Sequence, residues 1–192
     1  MLYDKAGRRK YLTVKERSAF IDASRRAPPE VATFCLTLAY TGARISEVLA
    51  LTPERIDMEA GVVIIESLKK RRRGTYRAVP IPQHLLQRLE KVHKLPFSQS
   101  DPLLKTVRLW PCSRTTAWTS VKRIMLGIGI PESLAMPKAL RHAFCVLALQ
   151  VNVPLNTVQR WMGHSRITTT IIYADVVGDE ERALANRMWL VR

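Results

Sequence analysis

Residues 163–173 read Gly-His-Ser-Arg-Ile-Thr-Thr-Thr-Ile-Ile-Tyr, and this stretch carries the strongest structural signals of the chain. Gly163 is typical of a helix end, so the apolar pattern before it predicts a helix over 155–162 that stops there. A second short helix is predicted from Thr168 to about residue 174. His164 is therefore expected at the end of the first helix, and Tyr173 near the end of the second.

A second informative segment, residues 41–47, reads Thr-Gly-Ala-Arg-Ile-Ser-Glu. Gly42 predicts the end of a preceding helix, which places Arg44 just beyond that end. Glu47 follows Arg44 by three residues, at the start of a further helical turn or two. We therefore expect Arg44 to follow one helix end and Glu47 to lie in the helical turn after it.

A third segment contains Lys138, Arg141 and His142 on a helix that we predict to begin at Pro137. Lys138 and Arg141 are three residues apart, so their side chains should leave one face of the helix together. His142 is expected to point elsewhere. Two adjacent cations on one face favour an anion outside the helix, although a solvated basic face has the same pattern.

Each of these residues also has an ordinary interpretation. His164 could cap the carbonyl groups of a helix end, and Tyr173 could be a half-buried aromatic residue with its hydroxyl in water. A phenol is a poor nucleophile until cations stabilise both its anion and the phosphate that it attacks. Two arginines, a lysine, a histidine and a tyrosine together fit metal-free attack on a phosphodiester.

The rest of the sequence predicts a mainly α fold with a small antiparallel hairpin or three-stranded sheet, an α+β domain. Thr13 and Glu16 form a capping-box pattern at the first helix. We predict loop structure over 95–110 and, with Ser113 as N-cap, a helix that reaches about residue 126. The other predicted helices cover 14–26, 30–41, 84–93, 137–151 and about 179–190, and the strands cover 62–65 and 77–81.

The charge balance favours a polyanionic partner. The 192 residues include 31 Lys and Arg against 16 Asp and Glu, a formal net charge of +15. Nucleic acid is the commonest polyanion, although a merely soluble basic protein would have the same composition. We expect basic side chains of the hairpin and of the 113–126 helix to contact double-stranded DNA: Lys69, Lys70, Arg71, Arg72, Arg73 and Arg77, with Arg114, Lys122 and Arg123. Trp118 of that helix belongs equally well in a DNA groove or in the core.

Cysteine usage and hydropathy set further expectations. Cys35, Cys112 and Cys145 are single cysteines in apolar surroundings, which favours buried free thiols in a reducing compartment. The sequence has no zinc spacing, no carboxylate cluster for two metals and no glycine-rich phosphate loop, so we expect neither metal nor other cofactor. Without a signal-peptide or membrane-span pattern, we expect a cytoplasmic, nucleoid-associated protein.

Three segments together resemble the tyrosine recombinases, the phage integrase family. Residues 41–51 resemble the family's first arginine box, residues 140–144 its second, and residues 162–174 its His-to-Tyr segment. The order and spacing agree over about residues 11–190. This resemblance implies the tyrosine recombinase catalytic-domain fold.

The resemblance also implies an activity and roles. Members cleave DNA with a tyrosine that becomes linked to the 3′ phosphate and releases a 5′ hydroxyl, without metal or ATP. By this resemblance, Tyr173 is the nucleophile, Arg44 and Arg141 clamp the scissile phosphate, and His164 hydrogen-bonds to it. Glu47 is implied to orient its neighbours, and the hairpin lysine that protonates the leaving oxygen is Lys69 or Lys70, with Lys69 preferred.

The sequence departs from the family pattern in two respects. Lys138 stands where members usually have histidine, and a lysine cannot shuttle a proton near neutral pH unless its pKa falls. Members also commonly carry an N-terminal DNA-clamping domain, whereas here a short basic extension over 1–10 precedes a catalytic domain over 11–192. A short single-domain recombinase and a truncated longer one both fit.

The resemblance further implies a homo-tetramer on paired sites and an accessory DNA-bending protein, with the 179–190 helix exchanged between protomers or docked within its own. Two other functions stay open. One is a non-catalytic DNA-binding regulator on the same scaffold, and the other is topoisomerase-like nicking and resealing.

Overall fold

Helices make up most of the regular secondary structure in the computed structural model, which describes residues 9–68 and 74–173 together with Gly7, Asn186 and Trp189. The helices are α1 (Val14–Arg25), α2 (Pro29–Thr41), α3 (Ile45–Leu49), α4 (Gln83–His93), α5 (Leu95–Ser100), α6 (Arg114–Gly127), α7 (Pro137–Gln150), α8 (Leu155–Met162) and α9 (Thr168–Ile171). The strands are β1 (Ile56–Asp57), β2 (Val62–Glu66) and β3 (Tyr76–Pro80). The prediction of a mainly α fold with a small antiparallel sheet is confirmed.

The helices begin where local chemistry favours a start. The Thr13 hydroxyl accepts a hydrogen bond from the Glu16 amide, and the Glu16 carboxylate accepts one from the Thr13 amide, which completes the predicted capping box. Ser113 caps α6 by accepting a hydrogen bond from the Thr116 amide. Pro29 and Pro137 occupy the first positions of α2 and α7, where a missing amide hydrogen costs nothing.

Helix α2 lies at the centre of the core. Most of its side chains are buried, including Phe34, Leu36 and Leu38. It packs against α1, α4 and α7, and these helices shield it from water. Because α2 is buried on most sides, packing against its neighbours stabilises it and holds both of its ends in place. One of these ends, at Thr41 and Gly42, leads directly into the candidate site.

The sheet is antiparallel in the order β1-β2-β3. In its register Val63 pairs with Val79 and Ile65 pairs with Arg77. Alternate residues of each strand face the core, so Val63 and Ile65 are fully buried. The same alternation turns Arg77 inward, beneath the helices.

Two predictions about residues 95–112 were wrong. Residues 95–110, predicted as loop, contain α5, which Pro96 starts in its first turn. Cys112 is exposed, since it lies in the polar segment just before α6, whereas Cys35 and Cys145 are buried free thiols as predicted.

The hairpin tip 69–73 lies outside the described residues, as do most of the 1–10 extension and of the predicted 179–190 helix. Within the part that the structure describes, no helix is both long and apolar enough to cross a membrane.

Gly42 should be intolerant of any side chain. It ends α2 with a φ of 60°, and a Cβ there would lie 2.5 Å from Cδ1 of Phe144. We expect Gly42→Ala to lower the free energy of unfolding by about 2–4 kcal/mol, from the left-handed backbone and overpacking together. Urea denaturation measures this change. The matched control is Gly61→Ala, at φ 64° with open space around the Cβ, which should cost only about 1 kcal/mol. Equal losses in the two variants would contradict the role of the Phe144 contact.

Candidate active site

An open cavity of about 560 Å³ is lined by all the described residues that were predicted to be catalytic. Its volume is in the range of sites that hold small ligand groups. The predicted site residues in its lining are Arg44, Glu47, Arg114, Lys138, Arg141, His164 and Tyr173, and His142 and Trp118 line it as well. Lys69, Lys70, Arg71, Arg72 and Arg73 fall outside the described residues.

Arg44 is positioned from both its backbone and its side chain by Glu47. The Arg44 amide donates to Oε2 of Glu47 at 2.9 Å, and Nη1 of Arg44 donates to Oε1 at 2.7 Å. Arg44 is the N-cap of α3, so the first of these bonds satisfies a backbone amide at the start of that helix. Glu47 therefore fixes a half-exposed guanidinium group at the cavity edge, as the sequence predicted for a supporting residue.

Arg77 is the second partner of Glu47 and is not a DNA contact. It is 6% exposed, and its Nη2 donates to Oε2 of Glu47 at 2.6 Å. Its other nitrogens donate to the carbonyl of Trp161 and the hydroxyl of Ser67. The prediction that Arg77 meets the DNA backbone was wrong, because strand alternation places it on the same side as Val79.

The buried Glu47 carboxylate is stabilised as an anion. Burial alone would raise its pKa, but the charge and hydrogen bond of Arg77, together with Arg44, hold the pKa below its ordinary value. Glu47 thus joins α3 to β3 through a charged network. Through Trp161, the network extends to the end of α8.

Arg141 lies between the ends of two helices. Its Nη1 donates to the carbonyl of Gly42 at 2.6 Å, and its Nη2 donates to the carbonyl of Met162 at 2.6 Å. The side chain is 8% exposed, so it is not on an outward basic face as the spacing to Lys138 suggested. Burial, with the nearby charge of Arg44, lowers the pKa of Arg141 to about 10, which still leaves it charged at neutral pH.

Tyr173 lines the cavity and contacts His142, a residue that was not predicted to belong to the site. Its Oη lies 2.6 Å from Nδ1 of His142, and the expectation that His142 points elsewhere was wrong. The available signal was the spacing of four residues between Lys138 and His142, which places both on one face of α7. Burial raises the pKa of Tyr173 to about 12, and burial with the charges of Lys138 and Arg141 lowers that of His142 to about 4.

His164 is fixed beside Tyr173 by the end of α8. Gly163 ends that helix at φ 64°, and the His164 amide bonds to the carbonyl of Gln159. The imidazole Nδ1 lies 2.9 Å from the hydroxyl of Thr170, and the ring stacks on Tyr173 with 6.2 Å between centroids. Burial, with Arg141 next in importance, lowers the pKa of His164 to about 4, so its ring is neutral at pH 7.

The remaining predicted cations differ in their surroundings. Lys138 and Arg114 are exposed at the cavity, whereas Lys122 bonds to Glu132 at 2.6 Å and lies over the Trp118 ring. Trp118 packs against the core, in agreement with one of its two interpretations, and it also lines the cavity, whereas its contact with a DNA groove stays a prediction. Arg123 is exposed on α6 and is not among the residues that line the cavity.

The arrangement places a phenol next to fixed guanidinium groups and two neutral imidazoles. A family model described as "Phage integrase family" matches residues 10–179, most of the chain. The chain belongs to the phage integrase family.

Relatives within the phage integrase family support this assignment. The chain is 32% identical over 148 residues to the tyrosine recombinase XerD of Vibrio vulnificus strain YJ016, a match that covers 73% of this chain and 47% of the relative. The chain thus spans about half the length of the curated relatives that it matches.

Solved structures from the family share the fold. The XerH site-specific recombinase bound to difH substrate superposes with a TM-score of 0.72 at 18% identity, over 95% of this chain and 59% of that one. The catalytic domain of bacteriophage HP1 integrase superposes with a TM-score of 0.64 at 20% identity, over 92% and 93% of the two chains. The catalytic-domain fold of the phage integrase family is therefore confirmed.

Proposed function

We propose that this protein is a site-specific DNA recombinase that cleaves and rejoins DNA through a covalent 3′-phosphotyrosine intermediate. Oη of Tyr173 forms a bond to the scissile phosphorus, and the bond from phosphorus to the 5′ oxygen breaks. The bond energy is kept in the phosphotyrosine, so ATP is not required, and the guanidinium groups supply the positive charge that a metal ion would otherwise provide. The single observation that carries the proposal is the meeting of Tyr173, Arg141 and Arg44 in one cavity.

The proposed roles follow from the chemistry of each group. Arg44 and Arg141 clamp the phosphate, because guanidinium groups are always charged and donate in pairs to phosphoryl oxygens. His164 donates a hydrogen bond through Nε2, since Nδ1 is bonded to Thr170. The hairpin lysine, Lys69 in preference to Lys70, protonates the 5′ oxygen as it leaves.

The proposed DNA contacts surround this cavity. Arg114, Lys122 and Arg123 of α6 and the hairpin cations Lys70, Arg71, Arg72 and Arg73 bind phosphates, which makes affinity dependent on salt. We also propose that the chain acts as a catalytic domain over 11–192, as a homo-tetramer on paired sites in the cytoplasm, with an accessory DNA-bending protein. The DNA-bound state of the XerH recombinase is consistent with a DNA partner.

A covalent trapping experiment tests the proposal. The protein is incubated in EDTA, without nucleotide, with a library of nicked duplexes that have a randomised core, so that the cleaved strand is released and religation is prevented. We expect a protein–DNA adduct on a denaturing gel and, by mass spectrometry, a 3′-phosphorylated Tyr173. Sequencing the trapped DNA identifies the cleavage site. Failure of the wild-type protein to form any adduct would contradict the proposal and favour a non-catalytic DNA-binding regulator.

The Lys138→Ala variant tests whether the cation is needed at the position where family members usually have histidine. We expect Lys138→Ala to slow single-turnover cleavage about tenfold to a hundredfold, because one cationic donor to the phosphate is lost from an exposed place. Lys91→Ala, an exposed lysine in the last turn of α4, is the matched control and should cleave at the wild-type rate. Cleavage by Lys138→Ala within a few-fold of wild type would show that Lys138 is dispensable.

A further inference from the structure

The contact between His142 and Tyr173 differs from the other contacts in the cavity, because it is made to the atom that would react. Nδ1 of His142 lies 2.6 Å from Oη of Tyr173, with the ring centroids 5.3 Å apart. Four arginine and lysine side chains lie in the cavity, but charged cations donate protons to hydrogen bonds and do not accept them. Among the described cavity residues, His142 is thus the group placed to receive the phenolic proton.

We propose that His142 is the general base that accepts the proton of Tyr173 as its oxygen attacks phosphorus. This inference rests on the proposed function of the site. The phenolic proton moves from Oη to Nδ1, the bond from Oη to phosphorus forms, and the bond to the 5′ oxygen breaks. The 5′ oxygen takes its proton from the hairpin lysine, so that every proton has a donor and an acceptor.

The environment of His142 keeps the imidazole in the form that can accept a proton. Nε2 is buried and has no hydrogen-bond partner among the described residues. In the tautomer that the proposal requires, this nitrogen carries the ring hydrogen and Nδ1 presents its lone pair to Tyr173. Burial and the charges of Lys138, Arg141 and Lys10 lower the pKa of His142, and they also make the imidazolium costly in the free protein.

A bound phosphodiester lowers the cost of protonating His142. Its negative charge lies between Arg44 and Arg141 and offsets the cations that disfavour a charged imidazole. The basicity of His142 therefore increases when DNA is in place, and Tyr173 is activated on the substrate and not in its absence. His164 has a different role in the proposed mechanism, since its Nδ1 lies 2.9 Å from the Thr170 hydroxyl and its Nε2 donates to the phosphate.

His142→Asn separates proton transfer from positioning. The Asn side chain places an amide oxygen close to the position of Nδ1, so it can accept the hydrogen bond of Tyr173 but cannot accept its proton. We expect cleavage of the trapped DNA to slow about a hundredfold or more, within the range for general-base catalysis. The matched control is His84→Asn, an exposed histidine 3.2 Å from the hydroxyl of Tyr40, which should cleave normally.

A sulphur-substituted substrate distinguishes a base from an acid. DNA with sulphur in place of the bridging 5′ oxygen has a leaving group that needs no proton. Such DNA therefore restores the cleavage rate of a variant that lacks the general acid. We expect the defect of His142→Asn to persist on this DNA. Restoration to the wild-type rate, or a wild-type rate of His142→Asn on normal DNA, would overturn the proposal.

A measurement without activity tests the same contact. Nitrogen NMR of the wild-type protein at pH 7 should show His142 protonated at Nε2 and unprotonated at Nδ1. A proton on Nδ1 would mean that His142 donates to Tyr173, which overturns the general-base role whatever the cleavage rates. Absence of a wild-type adduct, in contrast, is the failure of the recombinase proposal, so the two failures are distinguishable.

Discussion

Tyr173→Phe is expected to abolish the covalent protein–DNA adduct, with a rate reduction beyond detection on a denaturing gel. Phenylalanine retains the buried ring in the small core of Cys145, Val158 and Met162 but has no oxygen to attack phosphorus. The fold should persist, since loss of one hydrogen bond costs about 1 kcal/mol. DNA affinity, measured by fluorescence anisotropy, should remain close to that of the wild-type protein because the cations are unchanged.

The matched control for this experiment is Tyr40→Phe. Tyr40 also has its hydroxyl next to a histidine, His84, at 3.2 Å, but this hydrogen bond is exposed and neither residue lines the cavity. Its variant should form the adduct at the wild-type rate. An undiminished adduct from Tyr173→Phe would place the nucleophile on another residue and remove the basis of the proposed mechanism.

Glu47→Gln is expected to have the largest effect on stability. It leaves the buried guanidinium of Arg77 without an anion, and breaking one side of a buried ion pair costs about 3–5 kcal/mol. Arg44 loses its bond to Oε1 of Glu47, so cleavage should also fall. Urea denaturation and single-turnover cleavage measure the two effects separately. A loss below about 1 kcal/mol, as for an exposed ion pair, would contradict the buried network.

The stability difference between wild type and Glu47→Gln should depend on pH. The pKa of Glu47 is held below its ordinary value of 4.5, so the folded state favours the carboxylate more than the unfolded state does. The carboxylate contribution is thus complete above about pH 5 and is lost as the pH falls through the lowered pKa of the folded state. Urea unfolding at pH 7 and at pH 3.5 should show a smaller difference at the lower pH.

A double substitution separates the structural role of Glu47 from its positioning role. In Glu47→Leu with Arg77→Met both charges are removed, and replacing a whole buried pair with apolar residues often restores stability. We expect the double variant to be more stable than Glu47→Leu alone. Its cleavage should stay low, since Arg44 still lacks the carboxylate that orients it.

The sequence predicted those features that depend on neighbours along the chain. The capping box at Thr13, the proline starts of α2 and α7 and the glycine ends at Gly42 and Gly163 are local chemistry, and the structure confirms them. The three arginine and tyrosine segments likewise predicted which residues line the cavity. Local signals and a family pattern were sufficient for the scaffold and for most of the site.

The missed features depend on which way a side chain turns. Arg77 was assigned to the basic hairpin by composition, although its alternation with Val79 places it inside. His142 was compared with its neighbour Arg141 and not with Lys138, four residues earlier on the same face. Neither the Glu47–Arg77 pair nor the His142–Tyr173 contact has a local sequence signal, because their partners are 30 and 31 residues apart.

The two carbonyl groups that bind Arg141 have a consequence for anion recognition. Gly42 and Met162 lie at the C-terminal ends of α2 and α8, where the backbone carries partial negative charge. These dipoles bind the guanidinium directly, whereas the nearby Glu47 carboxylate acts on Arg141 through its charge alone. A carboxylate partner would have cancelled the charge of Arg141 and repelled an incoming phosphate. Uncharged carbonyl groups hold the side chain in place and leave its full positive charge to attract one.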